Sequence, residues 1–364
     1  MRSPMLFNRS ASCTPPPGYW QCLLPGKGEG LGRNLLFNRR ATLVNLALMF
    51  GLALCGITSL SLGTVNLEIQ QVLQALMGNG DPVSRFVIGE LRLPRLLAAT
   101  LTGAGFALAG CLMQTLARNR LATPGIIGID NAATAFAVAS VVGTGISVAP
   151  PMMALAGAAT ATALAFGLSG ASGTRGYRFI ITGLGIGAIA GAMTQFMLSR
   201  VAIDDANAAY PWTVGSLNAR DPLATQILAG GCLLAWPLCL MLARGLTTLQ
   251  LPDAVAIGLG RRPGRIRAGC LVVSVLLTGL AVAVAGPVGM VALIAPEFAR
   301  ALNRAGYVPL LASALIGAIV MVLADLAGRV MLSPLEVPVG IVTALAGSPY
   351  LLWILLKRPS GHLQ

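Results

Sequence analysis

Few side chains in this sequence could do chemistry, and their types exclude more than they allow. One histidine, His362, stands near the C-terminal end, so histidine-based metal sites and Ser-His-Asp triads have nothing to work with. The two lysines, Lys27 and Lys357, do not sit in a G-x-x-x-x-G-K-[ST] loop. Any ATP that drives this protein is therefore expected to bind another polypeptide. The seven cysteines show no C-x-x-C spacing, and five lie in apolar runs, where a thiol behaves as a small hydrophobe. No metal, cofactor or catalytic residue is expected. What remains is arginine and a few acids. Arg92 and Arg95 flank Pro94, and their nearest acid in sequence, Glu90, cannot neutralise both, so an unpaired basic pair is expected. Asp325 lies well inside an apolar run. An acid there suggests ion coupling, or else a helix-face pair with Arg329 four residues on.

The elements that must hold these residues follow from composition. Of 364 residues 55% are apolar and 10% charged, against about 25% charged in a soluble domain. Mean hydropathy is +0.78. About 200 apolar residues suffice for roughly ten spans of about 20 residues. Apolar runs occur at about 43–62, 96–116, 132–149, 152–169, 179–199, 224–243, 267–286, 288–302, 309–328 and 338–356. The expectation is an all-α polytopic membrane protein with ten transmembrane helices over residues 41–358. Glycine and alanine crowd these runs, a device for close helix packing in lipid. Residues 1–40, with Pro15-Pro16-Pro17-Gly18, read as a flexible tail, and 359–364 as a short C-terminal one. With ten spans and both termini in the cytoplasm, 19 of the 25 Lys and Arg fall inside, while Glu68, Asp81, Glu90, Asp204, Asp205, Asp221 and Glu336 fall outside. The net charge of +13 thus marks topology rather than nucleic-acid binding.

The longest inner loop, about 247–267, contains Pro252 and Asp253, which suit the start of a short helix, and Gly258 or Gly260, which suit its end. Pro263 can open a second helix running into the seventh span. Two readings stand: a docking knuckle for a soluble partner, or a basic loop that only fixes topology.

Several motifs resemble one family. They are Leu91-Arg92-Leu93-Pro94-Arg95, the stretch from Ala117 to Gly125, Ala256-Ile257-Gly258-Leu259-Gly260, the stretch from Ala285 to Pro296, Leu323-Ala324-Asp325, and the stretch from Glu336 to Ala344. Together, over residues 43–358, they resemble the FecCD/BtuC-type permeases of ABC importers for iron-siderophores, haem and vitamin B12. The resemblance implies a BtuC-like ten-helix permease subunit in the bacterial inner membrane that is itself no enzyme. Its implied partners are a second permease subunit, two cytoplasmic ATP-binding subunits and an extracytoplasmic substrate-binding protein, in a lipid bilayer. Arg92, Arg95 and Arg329 carry over as the arginines that dock glutamates of that binding protein. Asp253, Gly258, Leu259 and Gly260 carry over to ATPase coupling, and Asn119 and Leu121 to the cytoplasmic gate. The sequence departs from the family at Arg120 and Glu297, expected here as two separately solvated charges. In this family aspartate is ordinary at Asp325, which favours a structural role. The stretch Trp212 to Asn218 is most like the iron-siderophore branch, so the implied cargo is a ferric siderophore, with haem or vitamin B12 as alternatives. An ion-coupled secondary transporter is the rival class, resting on Asp325 alone.

Overall fold

The computed structural model describes residues 19–22, 35–63, 66–143, 148–169, 177–218, 221–303, 308–332 and 335–357. Most of the expected N-terminal tail, the expected C-terminal tail and Arg175, Arg220, Arg304 and Arg358 lie outside them. Strands β1 (Tyr19–Cys22) and β2 (Leu35–Asn38) pair antiparallel just before the first long helix. Every other described element is helical. The first five are α1 (Arg39–Ser61), α2 (Ile69–Leu76), α3 (Pro82–Phe86), α4 (Leu93–Leu116) and α5 (Ile129–Val141). Next come α6 (Pro150–Ser169), α7 (Tyr177–Arg200), α8 (Ile203–Val214), α9 (Pro222–Leu249) and α10 (Asp253–Gly258). The last four are α11 (Pro263–Ala285), α12 (Gly289–Leu302), α13 (Leu310–Val330) and α14 (Val339–Lys357).

Helix starts follow local rules. Proline opens α3, α9 and α11, where its missing N–H has no partner to lose. The carboxylates of Asp81 and Asp221 accept backbone N–H bonds from Ser84 and Leu223, capping α3 and α9. The second span departs from its expected start. It runs unbroken from Pro82 to Leu116 and contains Pro94. Proline inside a helix deletes a hydrogen bond and crowds the carbonyl four residues back. The wider π-helical turn Val87–Arg92 immediately precedes it and absorbs that defect.

Each of the ten expected apolar runs contains a described helix, although the third, 132–149, is helical only to Val141 and its residues 144–147 lie outside the described residues. Seven helical stretches are long and apolar enough to cross a membrane. The other three are α5 with 13 residues, α12 with 14, and the apolar part of α14 (Val339–Trp353). A 13-residue helix is about 20 Å long, short of a hydrocarbon core of about 30 Å. Each continues from a non-helical or tight segment: a 3-10 turn, Pro124–Ile127, leads towards α5, and Gly286–Val288 leads into α12. These breaks keep their backbone groups bonded. Ser216 N–H donates to Ala285 O and Gly340 N–H to Gly215 O, tying the ends of α8 and α11 to the start of α14.

Helix α4 is the centre of the bundle and packs on α13, α11, α12 and α9. At Gly103 and Gly317 the α4 and α13 backbones touch, each where the other's side chain would stand. By contrast α1 turns Leu43, Leu46, Phe50 and Leu54 outward, as a lipid-facing helix does.

A Cβ at Gly103 would overlap the Gly317 carbonyl. Gly103→Val should therefore cost at least ~1–3 kcal/mol of overpacking, read as a lower thermal unfolding midpoint in detergent. Gly185→Ala, which has open space, should leave the midpoint unchanged. Equal midpoints for Gly103→Val and wild type would mean the two helices do not touch there.

Candidate functional site

Charged residues gather at the two ends of α4. At its start the π turn directs Arg92 into the protein, where it is only 7% exposed. Its Nη1 donates to the carbonyls of Leu60 (2.5 Å) and Ser61 (3.2 Å), at the last turn of α1. Those carbonyls have no helical donor, and a cation there also opposes the helix dipole. One turn on, Arg95 lies beside Asp325 of α13, with Nε 3.0 Å from Oδ1 and Nη2 2.9 Å from it. Its Nη1 reaches Glu336 at 3.0 Å. Arg329 pairs by charge with the same carboxylate (Nε 3.1 Å from Oδ2, without a hydrogen bond from Nε) and donates from Nη2 to Ser59 Oγ (2.7 Å). Asp325 is 4% exposed. It ties three elements together: α4, α13 and, through Arg329, the end of α1.

Arg92 and Arg95 are thus not the unpaired basic pair that sequence proximity suggested. Their partners are 31 to 241 residues away in the chain, and Glu90 is not among the partners described above. The alternative for Arg329, a pair with Asp325 on its own helix face, is what the structure contains. Asp325 is likewise in structural use, as the family resemblance favoured. All three arginines line a cavity of about 440 Å³, together with Glu90, Asn218 and Glu336. Glu336, 38% exposed, is the most open partner in the cluster.

At the other end, the turn after α4 holds Asn119, whose Oδ1 accepts the Leu121 N–H (3.0 Å). Leu121 itself is exposed. Arg120 pairs with Glu297 of α12 (2.7 Å). The expectation of two separately solvated charges is therefore corrected. Glu297 sits on the buried face of α12, 7% exposed, where a carboxylate must be paired. Its second oxygen accepts from Arg300 (3.1 Å), which also bonds Gln114 of α4. Gln114 in turn donates to the carbonyls of Ala292 and Leu293.

The short helix foreseen in the long loop is α10. Arg267 forks onto Asp253 with 2.8 and 2.9 Å bonds, fixing α10 to α11. Helix α10 ends at Gly258, and the left-handed residue that closes it is Gly260 (φ 74°). Gly260 N–H bonds Ile257 O and Arg261 N–H bonds Ala256 O, the paired closure that requires a left-handed residue. Val255, Ile257 and Leu259 are left exposed on this loop.

Asp325 is not the only acid in the interior. Glu297 is a second, and Asp130, in the first turn of α5, is a third, with a buried Oδ1 that lacks a hydrogen-bond partner. The signal for both was their position within or beside apolar runs.

Residues 51–357 match the FecCD transport family. The chain belongs to that family. The achromobactin transport system permease protein CbrC of Dickeya dadantii is 36% identical over 322 residues, covering 86% of this chain and 91% of that protein. The Fe(3+)-citrate import system permease protein YfmE of Bacillus subtilis is 35% identical, covering 87% and 96%. The ferric enterobactin permease FepG of Escherichia coli is 33% identical, covering 88% and 98%. A chain from a metal-chelate type ABC transporter, solved in an inward-facing conformation, superposes with a TM-score of 0.76 at 25% identity, covering 87% of this chain and all of that one. This FecCD chain is an inner-membrane permease subunit rather than an enzyme. FecCD permeases work with ATPase and binding-protein partners.

Neutralising Asp325 leaves Arg95 and Arg329 without their buried counter-charge. Asp325→Asn should cost ~3–5 kcal/mol, the usual penalty for breaking a buried pair. Glu336→Gln removes a half-open pair and should cost at most about 1 kcal/mol. Thermal midpoints and folded yield in detergent compare the two. Equal effects would mean that Asp325 is not the residue holding α4 to α13.

Proposed function

We infer that this chain is the membrane-spanning subunit of an ATP-driven importer for ferric siderophores. The observation that carries this is the family match across residues 51–357, with relatives named for achromobactin, ferric citrate and enterobactin. The machine would contain a second permease subunit, identical or related, two ATP-binding subunits and an extracytoplasmic binding protein. Lys and Arg counts favour cytoplasmic termini. This puts Arg92 and Arg95 at the outer end of α4, and loop 247–267 at the inner face.

The outer cavity is the docking mouth. Arg95 is the arginine whose partner, Glu336, is half open, so a carboxylate of the binding protein meets it first. Arg92 and Arg329 hold α1 beneath that mouth and complete the docking set. At the inner face, Asp253, Gly258, Leu259 and Gly260 form the ATPase contact. The exposed apolar side chains Val255, Ile257 and Leu259, on a loop otherwise rich in arginine, support this over a purely topological role. Asn119 and Leu121 form the gate beside it.

The purified chain should hydrolyse no ATP, and activity should appear on co-expression with its ATP-binding subunits. Reconstituted with the binding protein, the complex should accumulate iron supplied as a ferric siderophore but not as haem or cobalamin. Uptake of haem or cobalamin instead would overturn the substrate assignment, and ATP hydrolysis by the lone chain the class.

Gly260→Val places a β-branched residue at φ 74°, at a cost of about 1–2 kcal/mol. It should reduce ATPase co-purification and uptake several-fold without loss of insertion. Gly264→Ala, in the same loop with open space around it, should not. Normal uptake by Gly260→Val would return the loop to the topological reading.

A further inference from the structure

Among the described residues, Arg118 is the one non-glycine residue with positive φ, at 50°. It closes α4 as Gly260 closes α10. Arg118 N–H bonds Thr115 O (3.4 Å) and Asn119 N–H bonds Gln114 O (3.1 Å), so Arg118 occupies the left-handed position of the closure. Glycine is the usual occupant because a Cβ is strained there. On backbone grounds alone arginine is a poor choice for this turn.

Its side chain gives the reason. Nε and Nη2 donate to Leu249 O at 2.9 and 2.6 Å, and Nη2 also bonds Leu251 O. Leu249 ends α9, so its carbonyl has no donor of its own within the helix. Nη2 is also 3.8 Å from Asp253, the first residue of α10. Asp253 already has both oxygens bonded by Arg267, so its charge does not require Arg118. Two residues along the same turn, Arg120 grips Glu297 of α12. A five-residue turn, Ala117 to Leu121, therefore has one arm on the entry to α10 and another on α12.

We propose that Arg118 is a positioning residue for transport: it transmits displacement of the α9–α10 junction to the turn that carries Asn119 and Leu121. This rests on the reading of the α10 loop as the ATPase contact. When α10 moves with a bound ATPase, the guanidinium carries the turn with it, and Arg120 passes the motion to α12. Arginine suits the role because one planar fork spans two carbonyls and a carboxylate, which an ammonium cannot.

The left-handed backbone makes the test clean. Arg118→Gly removes the arm and its bonds to Leu249 O but relieves the left-handed turn, two opposing effects, so the thermal midpoint of the permease–ATPase complex should change little. In proteoliposomes with the binding protein, ATPase subunits should remain bound and ATP hydrolysis continue. Ferric siderophore moved per ATP hydrolysed should fall about tenfold, the scale of a typical coupling free energy. Arg118→Lys, with one contact left, should fall between the two. A ratio within about twofold of wild type in Arg118→Gly would overturn the inference. A lower midpoint with a proportionate loss of both hydrolysis and uptake would also overturn it, leaving Arg118 a static brace. A wild-type chain that binds no ATPase would instead fail the functional reading, and this inference with it.

Discussion

Helix α4 touches α13 with backbone against backbone at Gly103 and Gly317, and the rest of the architecture depends on that approach. Lipid is as apolar as the helices, so burial offers little drive for helix association. Close dispersion contact must supply it. Gly110 repeats the device two turns further along, against the backbone of α12 at Ala292. With two neighbours drawn this close, α4 becomes an axial rod buried on most sides. Its two ends then present the charged clusters. Asp325 can sit between Arg95 and Arg329 only because α13 lies so near α4, and Glu297 meets Arg120 because α12 does.

The chain has twenty-three arginines and two lysines, and the structure shows a use for the preference. Arg92 bonds the terminal carbonyls of α1, Arg118 that of Leu249 at the end of α9, and Arg40 the carbonyl of Leu302 that ends α12. Each is a helix end satisfied by a side chain from a different part of the fold. Helix termini have carbonyls without donors, and near a bilayer water is scarce. A guanidinium offers several donors in a fixed plane and keeps its charge. The same property lets Arg95 engage two carboxylates at once. Arginine therefore serves here as a cross-helix fastener as well as a topological marker.

The two ends of α4 differ in a way that matters for function. The knot at the start of α4 has an almost fully buried centre, Asp325, with one half-open partner at its edge, which suits a rigid platform. The turn after α4 has exposed residues, Asn119 and Leu121, held by arms on separate helices, which suits a part that moves with its neighbours. Short helices α5 and α12, preceded by tight or extended segments, place further backbone breaks within the bundle. Transport proteins tolerate such breaks where other backbone segments satisfy the freed groups, as the Gly340–Gly215 and Ser216–Ala285 bonds do here.

Composition and hydropathy determined the membrane class, the ten apolar segments and the absence of an ATP-binding loop, because each is a property of local sequence. Proline and glycine likewise marked the α10 loop, though not which glycine turns left-handed. That choice depends on where the helix closes its last bonds. The motifs indicated the family, and four-residue spacing the Asp325–Arg329 pair, but not the long-range partners of its charges. Arg95 meets Asp325 across 230 residues, Arg120 meets Glu297 across 177, and Arg118 reaches Leu249 across 131. The π turn that swings Arg92 inward has no local signature beyond Pro94. Such pairings depend on where α9, α12 and α13 cross α4, and close packing at small residues such as Gly103 and Gly110 helps set those crossings. Local sequence could therefore nominate the arginines, but only the packed helices decided what they hold.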